Sequence, residues 1–263
     1  YQAGLNLSSG TDSVYVGYNA GGVGVITGTH NVVVGKGAFL EATSGNASVF
    51  VGIDAGGQTT AGGRSAPITG ASNTCVGYGT GYDLTSGHSN VLLGRDAGAN
   101  FTDNQRNVAI GMSAMLDSNG GENYNVAVGF GALESEVTSA NYCVAVGYAA
   151  LNLQNANVKN TAIGGLAGDA ITSGASNTLV GYQAGSGMTD SSNNAVFGHN
   201  AMSGGNGGNN TCLGYGAGGG ALAGNDNVIV GMQAGDALTD GPGNVLIGRS
   251  AGGAMTTGDY NIA

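Results

Sequence analysis

Charge is scarce in this chain: six Lys or Arg and sixteen Asp or Glu among 263 residues, with three His, three Cys, two Pro and no Trp. So few basic residues, against a net charge of −10, cannot form the basic stripe that nucleic-acid binding needs. No apolar run reaches the roughly 18 residues of a membrane-spanning helix, so none is expected. Cys75, Cys143 and Cys212 are odd in number and fall in no metal-ligand spacing, which argues against a disulfide framework or a zinc site. With Pro67 and Pro242 the only prolines, and no glycine at every third place, collagen is excluded. Disorder is excluded as well, because 41% of the residues are apolar.

What the chain has in excess is glycine, 54 residues, and its spacing carries the information. Asn, three apolar residues, Gly, two variable residues and Ala recur throughout, as in Asn107-Val-Ala-Ile-Gly111 and Asn177-Thr-Leu-Val-Gly-Tyr-Gln-Ala-Gly185. Fourteen anchor glycines stand at 17, 35, 52, 77, 94, 111, 129, 147, 164, 181, 198, 214, 231 and 248. All steps are 16 to 18 residues except one of 25 between Gly52 and Gly77. Tyr1-Gln2-Ala3-Gly4 and Asn261-Ile262-Ala263 are partial copies, so residues 1–263 are read as one repetitive segment of a longer chain.

The columns of the repeat give geometry. The residues one and three places before each anchor are mostly β-branched, which is strand composition. Helical repeats need longer units and tolerate less glycine. The expected fold is therefore all-β: a parallel β-solenoid, or β-roll, of about 15 rungs with a repeat of about 17 residues. Four places before the anchor stands Asn31, Asn73, Asn90, Asn107, Asn125, Asn160, Asn177, Asn194, Asn210, Asn227 or Asn244, with Ser13, Ser48 and Cys143 as exceptions. Stacked about 4.8 Å apart, these amides are expected to form a hydrogen-bonded ladder. A glycine recurring seven places before the anchor (10, 28, 45, 70, 87, 174, 207, 224, 241) is expected to need positive φ. The residue two before the anchor is apolar in every copy, from Tyr15 to Leu246. Taken as the outward face, it makes a strand buried on both sides and calls for packing against other copies of the chain.

Val126-Ala-Val-Gly129 and its relatives resemble the head repeats of trimeric autotransporter adhesins, and Asn160-Thr-Ala-Ile-Gly-x-x-Ala167 also resembles bacteriophage tail-fibre shaft repeats. The resemblance implies a left-handed roll, a homotrimer along the length of the rod, and an extracellular, cell-surface or virion setting. The function it implies is a structural shaft or spacer supporting surface attachment. The alternative is a glycan- or receptor-binding adhesin segment; a polysaccharide-degrading enzyme of the tailspike kind is less favoured.

Candidate chemistry is sparse, and no catalytic, metal or cofactor site is expected. Gly214-Tyr-Gly216-Ala-Gly-Gly219 fits a dinucleotide motif but has no βαβ context. Asp54 and Asp96 share a column two rungs apart, about 9–10 Å, near the upper limit for an inverting glycosidase pair. His30, His88 and His199 fall in different columns. Cys75 and Cys212 are assigned to the outward apolar column, where thiols of different chains could meet. Candidate surface-binding residues are Tyr18, Tyr78, Tyr148, Tyr182 and Tyr215, just after the anchor, and Arg64 in a loop insertion over 58–72. Carboxylates such as Glu41, Asp83, Asp103, Glu122 and Asp169 are placed in solvated connections. A monomeric ice-binding solenoid is disfavoured, because Thr74, Thr161, Thr178 and Thr211 are scattered among Val.

Overall fold

The computed structural model describes residues 2–22, 25–57, 67–118, 121–135, 140–155 and 158–263. Among them there is no helix; the chain is an all-β parallel solenoid of about 13 turns. The fourteen strands among the described residues bound these turns, which are slightly fewer than the 15 rungs expected. Two compact units, Tyr1–Ser139 and Ala140–Ala263, are built alike. The first contains β1 (Val14–Val16), β2 (Val32–Val34), β3 (Val49–Val51), β4 (Thr74–Val76), β5 (Val91–Leu93), β6 (Val108–Ile110) and β7 (Val126–Val128). The second contains β8 (Val144–Val146), β9 (Thr161–Ile163), β10 (Thr178–Val180), β11 (Ala195–Phe197), β12 (Thr211–Leu213), β13 (Val228–Val230) and β14 (Val245–Ile247). Within each unit every strand pairs in parallel with the next in sequence, in register with the repeat.

Backbone geometry explains the anchor. Its φ lies between 128° (Gly94) and 146° (Gly77), a region closed to residues with a Cβ. A Cβ on Gly94 would also stand 2.6 Å from the carbonyl oxygen of Gly111 in the next turn. The glycines seven places earlier behave differently. Of the nine, only Gly241 has positive φ, at 148°, so the expected left-handed turn is not there. They are glycine because of close approach instead: a Cβ on Gly10 would meet the Gly28 carbonyl at 2.5 Å, and one on Gly87 the Asn104 carbonyl at 2.6 Å. Left-handed residues sit elsewhere, many of them not glycine, including Asp54, Asp96, Gln183, Leu133 and Met202.

The asparagine ladder runs through the buried interior of both units. Asn107 donates its backbone N–H to Asn90 Oδ1 (3.0 Å), Asn194 to Asn177 (3.0 Å), and Asn244 to Asn227 (2.8 Å). Most of the Nδ2 groups also reach a backbone carbonyl of the following turn, as Asn31 does to Gly45 (2.8 Å) and Asn210 to Gly224 (3.0 Å). Two exceptions to the pattern keep the acceptor: Ser13 Oγ takes the Asn31 N–H (2.9 Å) and Ser48 Oγ the Asn73 N–H (3.1 Å). At Cys143 the adjustment comes from a residue outside the column. Gln154, fully buried, donates to Cys143 Sγ (3.0 Å) and accepts from Asn160 Nδ2 (3.0 Å).

The core corrects one expectation. The middle residue of each strand points inward, not outward: Val33, Phe50, Leu92, Ala109, Leu179, Ile229 and Leu246 are all fully buried. Its size is matched by the residue four places after the anchor. Where the strand carries Ala109, Ala127 or Ala145, that place holds Met115, Leu133 or Leu151, all fully buried. Where the strand carries Leu92, Leu179 or Leu246, it holds Gly98, Gly185 or Gly252, on which a Cβ would strike that same leucine at 3.0, 3.0 and 2.8 Å. In these turns a small residue in one column is answered by a large one in the other, although not in every turn, since Ala162 is paired with Gly168.

Two outcomes are expected in denaturant unfolding. Leu92→Ala should lose about 2–5 kcal/mol, and adding Gly98→Leu should recover much of it by reproducing the Ala127–Leu133 arrangement. Asn177→Ala should lose about 1–3 kcal/mol by orphaning the Asn194 N–H, whereas Asn177→Ser should lose less, its hydroxyl serving as Ser48 does.

Candidate functional site: an apolar outer face beside a tyrosine column

Because the middle strand residue is inside, its two neighbours form the outer face of the sheet. They are Val, Thr, Ile, Leu, Phe and one Ala, with no charge among them. Their exposure is large for such side chains: 54% for Val16, 39% for Leu93, 42% for Ile163, 48% for Leu213 and 60% for Ile247. An uncharged apolar surface repeated on every turn is unlike the ordinary surface of a lone soluble chain, where exposed apolar residues are scattered.

Beside it runs the column that follows the anchor, where Tyr18, Tyr78, Tyr148, Tyr182 and Tyr215 are each about half exposed. Several are engaged by the neighbouring turn. His199 lies between Tyr182 and Tyr215, with ring centroids 5.2 and 5.3 Å away, and the Arg95 guanidinium sits 5.8 Å from the Tyr78 centroid. Arg64 lies outside the described residues, as do 58–66 of the loop insertion. Residues 67–72 rejoin the coil, where buried Ile68 bridges Ala42.

The cysteine placement is corrected together with the strand. Cys75 and Cys212 are fully buried inside the coil, so they cannot meet thiols of another chain. Burial pushes both thiols up, Cys212 to about 12, leaving them protonated and inert. Glu122 is likewise not solvated. It takes the place of the glycine seven before its anchor, is fully buried, and accepts from Asn104 Nδ2 at 2.7 Å.

A threonine column was missed in the sequence. Thr27, Thr43, Thr69, Thr85 and Thr102 in the first unit, and Thr172, Thr189, Thr239 and Thr256 in the second, stand eight or nine places before their anchors. Their register slips by one, which hides them in an alignment on the glycine. Their hydroxyls are turned to the backbone: Thr85 Oγ1 donates to the Thr102 carbonyl (2.9 Å) and Thr239 to that of Thr256 (2.9 Å).

Asp54 and Asp96 line one cleft of the first unit. Burial raises the carboxyl of Asp54 above the ordinary 3.8, against the opposing pull of Lys36, while Arg95 Nε bonds Asp96 Oδ2 at 2.9 Å. Among the described residues no group of three or more His, Cys, Asp or Glu could hold a metal ion, and no helix is long and apolar enough to cross a membrane. Comparison with known proteins gives no matching family model, no matching curated protein and no matching solved structure.

Burial also raises Asp169, outweighing the backbone N–H groups that lower it. A carboxyl raised in the folded state favours the neutral acid. Its stabilisation is complete below the unfolded value and is lost as pH rises through the folded one. Asp54→Asn combined with Asp169→Asn is therefore expected to flatten the fall in urea midpoint as pH rises above the ordinary carboxylate range. An unchanged pH slope would contradict the assignment.

Proposed function

We propose that this chain is a structural shaft or spacer of a trimeric fibre, extracellular and carried on a cell surface or virion, which supports attachment without catalysis. The observation that carries the reading is the uncharged apolar outer face of the sheet, present on every turn of both units. A partner for such a face must offer apolar surface at the same spacing over many turns, and a second copy of the chain does so by construction. The number three comes from the resemblance to trimeric fibre repeats.

A mechanical role also fits the distribution of polar groups. Asparagine side chains and threonine hydroxyls bond the backbone of neighbouring turns, and buried Gln154 links the side chains of Cys143 and Asn160, which locks the stack. Acidic groups in the connections, with a net charge of −10, oppose side-by-side association of assembled fibres.

Light scattering tests the assembly. A mass near three times the 25.4 kDa of one chain is expected, and a mass of one chain would refute it. Ile163→Glu combined with Val180→Glu, on the outer face, should dissociate the assembly while leaving the far-UV spectrum of the chain unchanged.

A further inference from the structure

Each unit carries a cleft, and the two clefts are built from the same positions of the repeat. In the first, enclosing about 350 Å3, Tyr78 and Gly79 are flanked by Asp54 from the turn before and Asp96 from the turn after. In the second, about 240 Å3, Tyr215 and Gly216 are flanked by Asn200 and Gln233 in the same way. The backbone hydrogen bonds correspond: Gly79 N–H to the Ile53 carbonyl (3.0 Å) and Asp96 to Tyr78 (2.9 Å), against Gly216 to His199 (3.0 Å) and Gln233 to Tyr215 (2.8 Å). These are the only two Gly-Tyr-Gly sequences in the chain, residues 77–79 and 214–216.

The glycine after the tyrosine opens the cleft. A Cβ on Gly79 would meet Asp96 Oδ1 at 2.6 Å, and one on Gly216 would come within 3.7 Å of Gln233 Cγ. The polar side chain of the following turn therefore leans over a bare backbone, and its head group lies in the cleft. Asn200 lines the second cleft, and its Oδ1 is buried without a hydrogen-bond partner, so a ligand would reach that oxygen only if the side chain turned.

We infer that the two clefts are equivalent sites for one uncharged sugar unit each. The groups shared by both are a half-exposed tyrosine ring and hydrogen-bonding heads above and below it. A ligand suited to both must accept a carboxylate partner in one and a carboxamide in the other while covering an aromatic edge. A hydroxylated ring, with apolar C–H patches and several O–H donors, meets that description. A bare cation would find two carboxylates in the first cleft and one in the second, and would make no use of the tyrosine ring's apolar edge. An acidic sugar is opposed by Asp54 and Asp96 in one and by Asp236 in the other.

The test is an array of neutral oligosaccharides of glucose, galactose, mannose and N-acetylhexosamines beside sialylated and sulfated counterparts, followed by calorimetric titration with the strongest neutral hit. Two sites per chain are expected. Tyr78→Ala and Tyr215→Ala should each remove one, weakening it about tenfold or more, the scale of truncating an aromatic anchor. The double variant should remove both with its unfolding midpoint retained. Gln233→Leu, which keeps the cleft's shape, should abolish the second site alone. Absence of neutral hits, hits confined to acidic sugars, or undiminished binding by the double variant would overturn the inference. Mass by light scattering on the same samples separates a failure of assembly from a failure of sugar binding.

Discussion

One hydrogen bond, repeated from turn to turn, sets the terms for everything else in these units: the side-chain oxygen of an asparagine accepting the backbone N–H of the asparagine in the next turn. For that bond to form, successive turns must stand a strand's width apart with no offset along the strand, and each three-residue strand pairs in that register. The register brings anchor glycine onto anchor glycine so closely that no Cβ fits between them. It also leaves the asparagine Nδ2 facing a carbonyl of the following turn, in several turns that of a second glycine whose own backbone packs closely on the next. Glycine here is a consequence of a polar ladder in a tightly wound interior. Its abundance, which in an isolated chain favours disorder, is what allows the ladder to close.

The ladder and the strands were legible because each is written in a single column at constant spacing. The Thr27-to-Thr256 column slips by one residue between eight and nine places before the anchor, so its continuity exists only in space. Direction was the other hidden quantity. Alternation along Val108-Ala109-Ile110 establishes that the middle residue faces opposite to its neighbours, but when all three are apolar it does not say which side is the core. What decides it is the partner column four places after the anchor, where Met115, Leu133 and Leu151 fill the space that Ala109, Ala127 and Ala145 leave. That exchange of volume is the signature of a shared interior, and it could have been found by comparing the two columns copy by copy.

Reversing the strand changes which side chains a second copy would meet in the proposed assembly. The surface available to a partner is two columns of Val, Thr, Ile, Leu and Phe rather than one column containing many Ala. Branched side chains stand further from the sheet and bury more apolar area per turn on contact, so the case for a covered face becomes stronger than the original alternation argument made it. The same reversal retires Cys75 and Cys212 as links between chains and makes them ordinary small core residues.

Departures from the repeat fall into two kinds, and the difference bears on function. Inside the coil, departures are answered inside the coil: Ser48 supplies the missing oxygen, Gln154 links Cys143 to Asn160, and Glu122 in a glycine's place takes a hydrogen bond from Asn104. Such substitutions preserve the stack and need no ligand to explain them. In the two places after the anchor, variation is not answered in this way. Gly79 and Gly216 leave backbone bare beside a tyrosine while polar heads from adjacent turns reach over it, and Asn200 keeps an acceptor with no partner. Backbone geometry at this position does not demand glycine, since Asp54, Asp96, Asn200 and Gln233 adopt the same positive φ. The bare backbone there makes room beside polar heads of the adjacent turns, of which Asp96 is already held by Arg95 while Gln233 is exposed.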